Sequence, residues 1–204
     1  FEAEIADSIV KTIMEHNEVA DWQGDTASAN VYINRYDGLI KTIDAAATAV
    51  DGNTNAVTAA TGITSGASGN VDTLITSLVN ARPAKVKSAP NQVLFVGQDT
   101  FDKYVDTLNA KNLFNVNATD WANYTMSVVG KNVTLVGVVG LDSTNRMFLG
   151  TQENLFLGFD LQNDEEEFDM WYEKKDDKVY YRVKFKRGLQ VAYPSELVEF
   201  TLVP

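Results

Sequence analysis

The residues most able to do chemistry are crowded into DEEEFDMWYEKKDDKVYYRVKFKR, Asp164 to Arg187, which opens acidic, closes basic and alternates charged with apolar residues between. Paired carboxylates could serve as a general acid and base, but that chemistry needs two acids held in different environments at a cleft. Acids packed from Asp164 to Glu167 could hold a divalent cation, yet the Asp-x-Asp-x-Asp-Gly loop spacing that makes calcium binding specific is missing. The lone histidine, His16, falls at the end of a helical pattern, where an imidazolium suits the helix dipole, and no nucleophile pairs with it. No GxGxxG, Walker-type loop, GxSxG or HExxH occurs, and the absence of cysteine excludes thiol nucleophiles, thiolate metal sites and disulfides. The sequence therefore assigns no catalytic, cofactor-binding or metal-ligating residue, calls for no cofactor, and does not read as an enzyme.

The charges have a structural reading instead. With a turn at Lys174–Asp177 and antiparallel strands on either side, Glu173 falls opposite Lys178, Asp169 opposite Arg182, Glu167 opposite Lys184 and Glu165 opposite Lys186, with Trp171 opposite Tyr180 on the same face. The other face pairs Tyr172 with Val179, Met170 with Tyr181 and Phe168 with Val183. Because side chains alternate with a period of two, a one-residue slip would break every one of these pairs, so both faces specify one register. Each exposed pair contributes roughly 0.2–1 kcal/mol, so the ladder sets register more than it adds stability. An arm with an apolar face is expected to pack on another surface.

The rest of the chain must position that hairpin. Its 204 residues are 45% apolar, enough for a sizeable core, and the net charge of −11 with a pI near 4.5 disfavours phosphate binding over most of the surface. No apolar run approaches the ~20 residues of a membrane span. Phe1, Ile5, Ile9 and Ile13, broadened by Ala6, Val10 and Met14, have the spacing of an amphipathic helix. The chain starts inside this element without an initiator Met, as expected of a fragment whose upstream part is missing. After Asp37-Gly38, LIKTID reads as a short strand, and the small, polar residues 44–70 read as a mobile loop. Val71, Leu74, Ile75, Leu78 and Val79 predict a helix that stops before Pro83. QVLFV then predicts a strand, followed by a helix carrying Phe101, Tyr104, Val105 and Leu108. KNVTLVGVVG, NRMFLG and NLFLGF add three strand candidates, giving a sheet flanked by two helices in an α+β chain. Trp22, Trp121 and the tyrosines are scattered without a basic background, which argues against a base-stacking platform.

In their order, these elements resemble the major capsid proteins of tailed double-stranded DNA bacteriophages, the Hong Kong 97-type capsid fold. FEAEIADSIVKTIMEHNEVADWQGDT is similar to the family's long spine helix with its aromatic-x-Gly-Asp ending, and YDGLIKTI to the segment after it. PNQVLFVGQDTFDKYVDTLNAKNLF is similar to the strand and helix of the axial domain. VTLVGVVGL and then NLFLGFDLQNDEEEFDMWYEKKDDKVYYRVKFKRGLQVAYPSELVEF resemble the family's closing strands and charged hairpin. The resemblance implies a peripheral domain of residues 1–34 and 163–195, the spine helix and long hairpin, and a mixed sheet-and-helix axial domain of residues 35–162 and 196–204. By this resemblance the family's N-terminal arm and extended loop are expected upstream of Phe1, outside this sequence. The implied function is a structural subunit of an icosahedral phage head that self-assembles into hexamers and pentamers enclosing packaged DNA, without sequence-specific binding. Partners would be further copies of the chain together with portal, scaffolding or protease factors, and no membrane. The place would be the virion, after assembly in the host bacterial cytoplasm. An encapsulin-type compartment shell is the alternative within the same fold; a polar-substrate enzyme would need a convergent set of titratable groups.

Overall fold

The computed structural model describes residues 2–113, 123–159, 167–184 and 186–204. Its centre is a six-stranded mixed sheet in the order β1-β10-β5-β2-β4-β3. The strands are β1 (Val50–Asp51), β2 (Gln92–Gly97), β3 (Thr125–Ser127), β4 (Thr134–Val138), β5 (Met147–Thr151) and β10 (Val198–Phe200). β2 runs parallel to β4 and antiparallel to β5, while β10 joins β5 antiparallel and β1 parallel. Three of these are the predicted QVLFV, KNVTLVGVVG and NRMFLG strands. NLFLGF becomes β6 (Leu155–Phe159), which leaves the main sheet and pairs with β9 (Arg187–Val191).

Strand periodicity divides the core into two layers. Leu94, Val96, Leu135, Met147, Leu149, Val198 and Phe200 face one side, against the predicted helices α3 (Val71–Ala81) and α5 (Gln98–Ala110), between which the chain makes the single-turn α4 (Ala84–Lys87). All five apolar residues that predicted α3 are buried, as are Phe101, Tyr104 and Leu108 of α5, with Val105 partly so. Both helices therefore lie on a single face. The opposite face carries Phe148 with partly buried Phe95 and Val138, and it is covered by Trp22 of α1 (Glu2–Gln23) and by Leu39 and Ile43 of α2 (Leu39–Ala46). Trp22 lies 5.3 Å from the Phe95 ring and 5.9 Å from Phe148.

Two sequence expectations are corrected. LIKTID is helix, not strand: Leu39 and Ile43, one turn apart, are the buried pair, and the helix closes with Ala47 in the left-handed region. Residues 44–70 are anchored rather than a mobile loop. Val50 and Asp51 pair with β10, and Thr58 bridges Val203. Buried Asn53 donates from Nδ2 to the carbonyls of Val57 (3.0 Å) and Thr201 (2.9 Å) and accepts from the Val57 N–H (2.9 Å). Small polar residues held this segment by side-chain bonds to backbone, which carry no hydrophobic period.

Where α1 meets α2 the chain crosses itself closely. The Gly38 N–H donates to the Gly24 carbonyl at 2.9 Å, and a Cβ on Gly24 would lie 2.5 Å from the carbonyl oxygens of Ala20 and Tyr36. Only glycine permits that approach.

Candidate functional site

The hairpin forms as its sequence directs. β7 (Glu167–Glu173) and β8 (Lys178–Lys184) pair antiparallel, with Glu167 opposite Lys184, Phe168 opposite Val183, Asp169 opposite Arg182, Met170 opposite Tyr181, Trp171 opposite Tyr180, Tyr172 opposite Val179 and Glu173 opposite Lys178. The Glu165–Lys186 pair lies outside the described residues, because Glu165 does. The Trp171 and Tyr180 rings stack at 5.8 Å with planes 20° apart. At the turn, Tyr180 donates to Asp176 at 3.1 Å and Tyr172 to Asp177, a bond that raises the Tyr172 phenol pKa.

The expected cover for its apolar face is not provided at the described end of the arm. Trp171, Tyr172, Val179 and Tyr180 are 44%, 54%, 47% and 38% exposed, respectively, on both faces of the ribbon. At this end the register coincides with aromatic and β-branched cross-strand pairs and not with a covering layer.

What the sequence did not disclose is the joint at the hairpin's base. The Arg187 guanidinium at the start of β9 donates to Asp21 Oδ2 of α1 at 2.5 Å, and the Tyr36 hydroxyl donates to Asp21 Oδ1 at 2.6 Å. Burial first, and then the bond to the Asp21 carboxylate, push the Tyr36 phenol far up. One turn earlier, buried Asn17 accepts from Arg35 at 3.2 Å. Residues 166 positions apart thus meet in one partly buried polar cluster, tying β9 and the loop before α2 to the C-terminal half of α1. Such a group costs several kcal/mol to desolvate unless paired, and here the pairs are made.

The other candidates are structural in their surroundings. His16 Nδ1 lies 2.9 Å from the Thr12 carbonyl, and its ring stacks on Tyr32 at 4.5 Å. A surface cleft of about 590 Å³ opens between α2 and the 144–146 and 201–202 segments. Its charged lining is internally paired: Lys41 bonds Asp25 (2.7 Å) and, just outside, Asp37 (2.8 Å), and Arg146 bonds Asp44 (2.5 Å) and Glu199 (3.1 Å). Among the described residues no group of His, Asp and Glu could hold a metal ion, and no helix is long and apolar enough to cross a membrane. The acids Asp164 to Glu166 lie outside those residues.

Against known structures, the whole of this chain superposes on capsid subunits. A chain from the satellite phage P4 procapsid, a structure that includes the size determination (Sid) protein, is 17% identical with a TM-score of 0.65, over 100% of this chain and 64% of that one. The fold is that of a capsid protein. Capsid chains of native and empty GTA particles, each 11% identical, match at TM-scores of 0.64 and 0.59, again over 100% of this chain and over 66% and 67% of theirs. The chain therefore spans about two thirds of the length of these capsid chains. No protein-family model and no curated protein matches the sequence. The capsid fold accounts for the mixed α+β architecture, with its helix-backed sheet.

Proposed function

We propose that the chain is the structural subunit of an icosahedral phage head, a major capsid protein of the Hong Kong 97 type that closes into hexamers and pentamers around packaged DNA. The observation that carries this reading is the match of the entire chain, helices, sheet and hairpin together, to procapsid and capsid subunits at TM-scores of 0.65 and 0.64. In this reading residues 1–34 and 163–195 form the peripheral domain and 35–162 with 196–204 the axial domain. The Asp21–Arg187 contact, which joins α1 to β9, supports grouping α1 with residues 163–195. The hairpin's charged face lies at or near a subunit boundary, the role is not enzymatic, and portal, scaffolding or protease factors assist assembly in the host cytoplasm before the shell becomes part of the virion. A net charge of −11 suits a wall that encloses nucleic acid without holding it tightly.

Negative-stain microscopy of the protein expressed from its complete gene tests the proposal. Closed shells built of six-fold and five-fold clusters support it. A monodisperse monomer under all assembly conditions overturns it, and shells that retain a protein cargo instead of nucleic acid overturn the DNA-packaging half.

A further inference from the structure

β7 and β8 form a two-stranded sheet that no other strand joins among the described residues, so each strand presents an outer edge of backbone N–H and C=O groups. Such edges template pairing with another chain unless something discourages it. Here the two edges differ in sign. β7 carries Glu167, Asp169 and Glu173, and β8 carries Lys178, Arg182 and Lys184, at directly opposed register positions.

We infer that these edges pair between copies of this chain, β8 of one subunit against β7 of the next, to make a continuous sheet across the subunit boundary. The inference rests on the capsid-subunit reading and names the contact within it. Three features on the hairpin favour a second copy over any other occupant. First, placing two hairpins side by side with their tips aligned sets β8 antiparallel to the neighbouring β7, and the register within one hairpin is then repeated between hairpins: Lys178 meets the neighbour's Glu173, Arg182 its Asp169 and Lys184 its Glu167. Each acid then sits between two bases along the row, and each base between two acids, the arrangement in which opposed pairs stabilise a sheet. Second, the like-edge alternatives are disfavoured, since β8 against β8 sets bases against bases and β7 against β7 acids against acids. Third, the apolar positions Tyr172 and Val179, both exposed, fall in register with their counterparts and extend one apolar face across the joint. Because the two edges are unlike, the contact is head-to-tail, and a head-to-tail contact repeats around a ring and closes it when the rotation allows.

The chain has no cysteine, which makes the contact directly testable. Two single variants, Glu173→Cys and Lys178→Cys, are purified separately, checked for native circular dichroism, and mixed under mild oxidation at low salt. Residues facing each other across a sheet fall within disulfide reach. A disulfide-linked heterodimer should form in the mixture at least about tenfold in excess of the homodimer from either variant alone, a preference equivalent to one decade in association constant. It should weaken as salt rises. Equal yields of all three products, or none from folded variants, overturn the edge pairing. A charge-reversed pair gives a second readout. Lys178→Glu/Arg182→Glu/Lys184→Glu and Glu167→Lys/Asp169→Lys/Glu173→Lys chains should each associate less than wild type, and should associate with one another when mixed; folded but mutually inert chains overturn the inference. If shells form from the complete gene product carrying these cysteines in mixture yet no cross-link appears, the edge pairing fails while the capsid reading stands. If neither shells nor self-association appear, the capsid reading itself has failed.

Discussion

The central sheet and the β7–β8 hairpin are both held in a single register, but by different means. In the sheet, side chains from both faces disappear into a core: Leu94, Val96, Leu149 and Phe200 are fully buried on one side, with Trp22, Phe148 and Leu197 nearly so on the other. In the hairpin, the register comes from opposed charges and aromatic pairs while Trp171, Tyr172 and Tyr180 stay exposed. The body is stabilised by burial, worth roughly 25 cal/mol per Å² of apolar surface, and the arm by pairs worth roughly 0.2–1 kcal/mol each. On the proposed capsid reading, a subunit that folds first and then joins copies of itself has reason to keep the two apart: what is buried fixes the fold, and what is left exposed is available to a neighbour.

The two tryptophans test this most directly. Trp22 is 7% exposed and packs on Phe95 and Phe148. Trp22→Ala should destabilise the chain by about 3–5 kcal/mol, the cost of removing a large aromatic from a core, read as a lowered urea midpoint at unchanged slope. A loss below about 1 kcal/mol would mean that the second core layer does not contribute as its burial implies.

The joint between the regions comes next. Asp21 and Arg187 are 15% and 22% exposed at the side chain, so their pair is incompletely desolvated. Removing either partner alone should cost about 2 kcal/mol, below the 3–5 kcal/mol of a fully buried pair. The double variant Asp21→Ala/Arg187→Ala should cost less than the sum, since neither charge is then stranded. Strict additivity would show that the contact carries no coupling.

A smaller effect belongs to the loop that leads from α1 to α2. Asp37 is held at about 2, first by its hydrogen bond from Lys41 and then by the Thr26 backbone N–H, and Asp25 is lowered by the same lysine and by the Ala27 N–H. A carboxylate whose folded pKa is depressed stabilises the fold above its unfolded value and loses that contribution on protonation. The loop's stabilisation should thus be complete above the ordinary value of 3.8 and fall away as pH drops from there toward 2. Lys41→Met should flatten the acid limb of a stability-against-pH curve in that window. Unchanged acid sensitivity would assign the acid lability to other carboxylates.

How much of this the sequence disclosed follows from the kind of interaction. The hairpin register was legible because a period of two ran through both faces at once, so one alignment satisfied Trp171–Tyr180 and the charged rows together. α3 was legible because Val71, Leu74, Ile75, Leu78 and Val79 repeat at helical spacing before Pro83. LIKTID misled because adjacent Leu39 and Ile40 in six residues fit a strand as well as a helix, and only Ile43 packing beneath Trp22 decides between them. Residues 44–70 misled because Asn53 and Thr58 hold their segment through bonds to backbone 145 or more residues away, which leave no local pattern. The Asp21–Tyr36–Arg187 cluster was illegible for the same reason: three polar residues of ordinary type, made a unit only by the fold.

The smallest expected effect is the most informative about the arm. Trp171→Ala removes a stacked aromatic pair that is 44% exposed on its tryptophan side, so no cavity is left in a core and global unfolding free energy should change by no more than about 0.5 kcal/mol. The pair itself is worth about 0.5–1 kcal/mol, and that loss must appear somewhere. If the hairpin opens as a unit of its own, the loss appears in the local opening equilibrium, and the amides of β7 and β8 should exchange with solvent about two- to fivefold faster while those of β2 and β5 are unmoved. If instead the arm is thermodynamically part of the body, exchange should change little in the hairpin and the global midpoint should fall. Amide exchange followed residue by residue on Trp171→Ala beside wild type separates the two, and a global loss comparable with that of Trp22→Ala would end the contrast between arm and body.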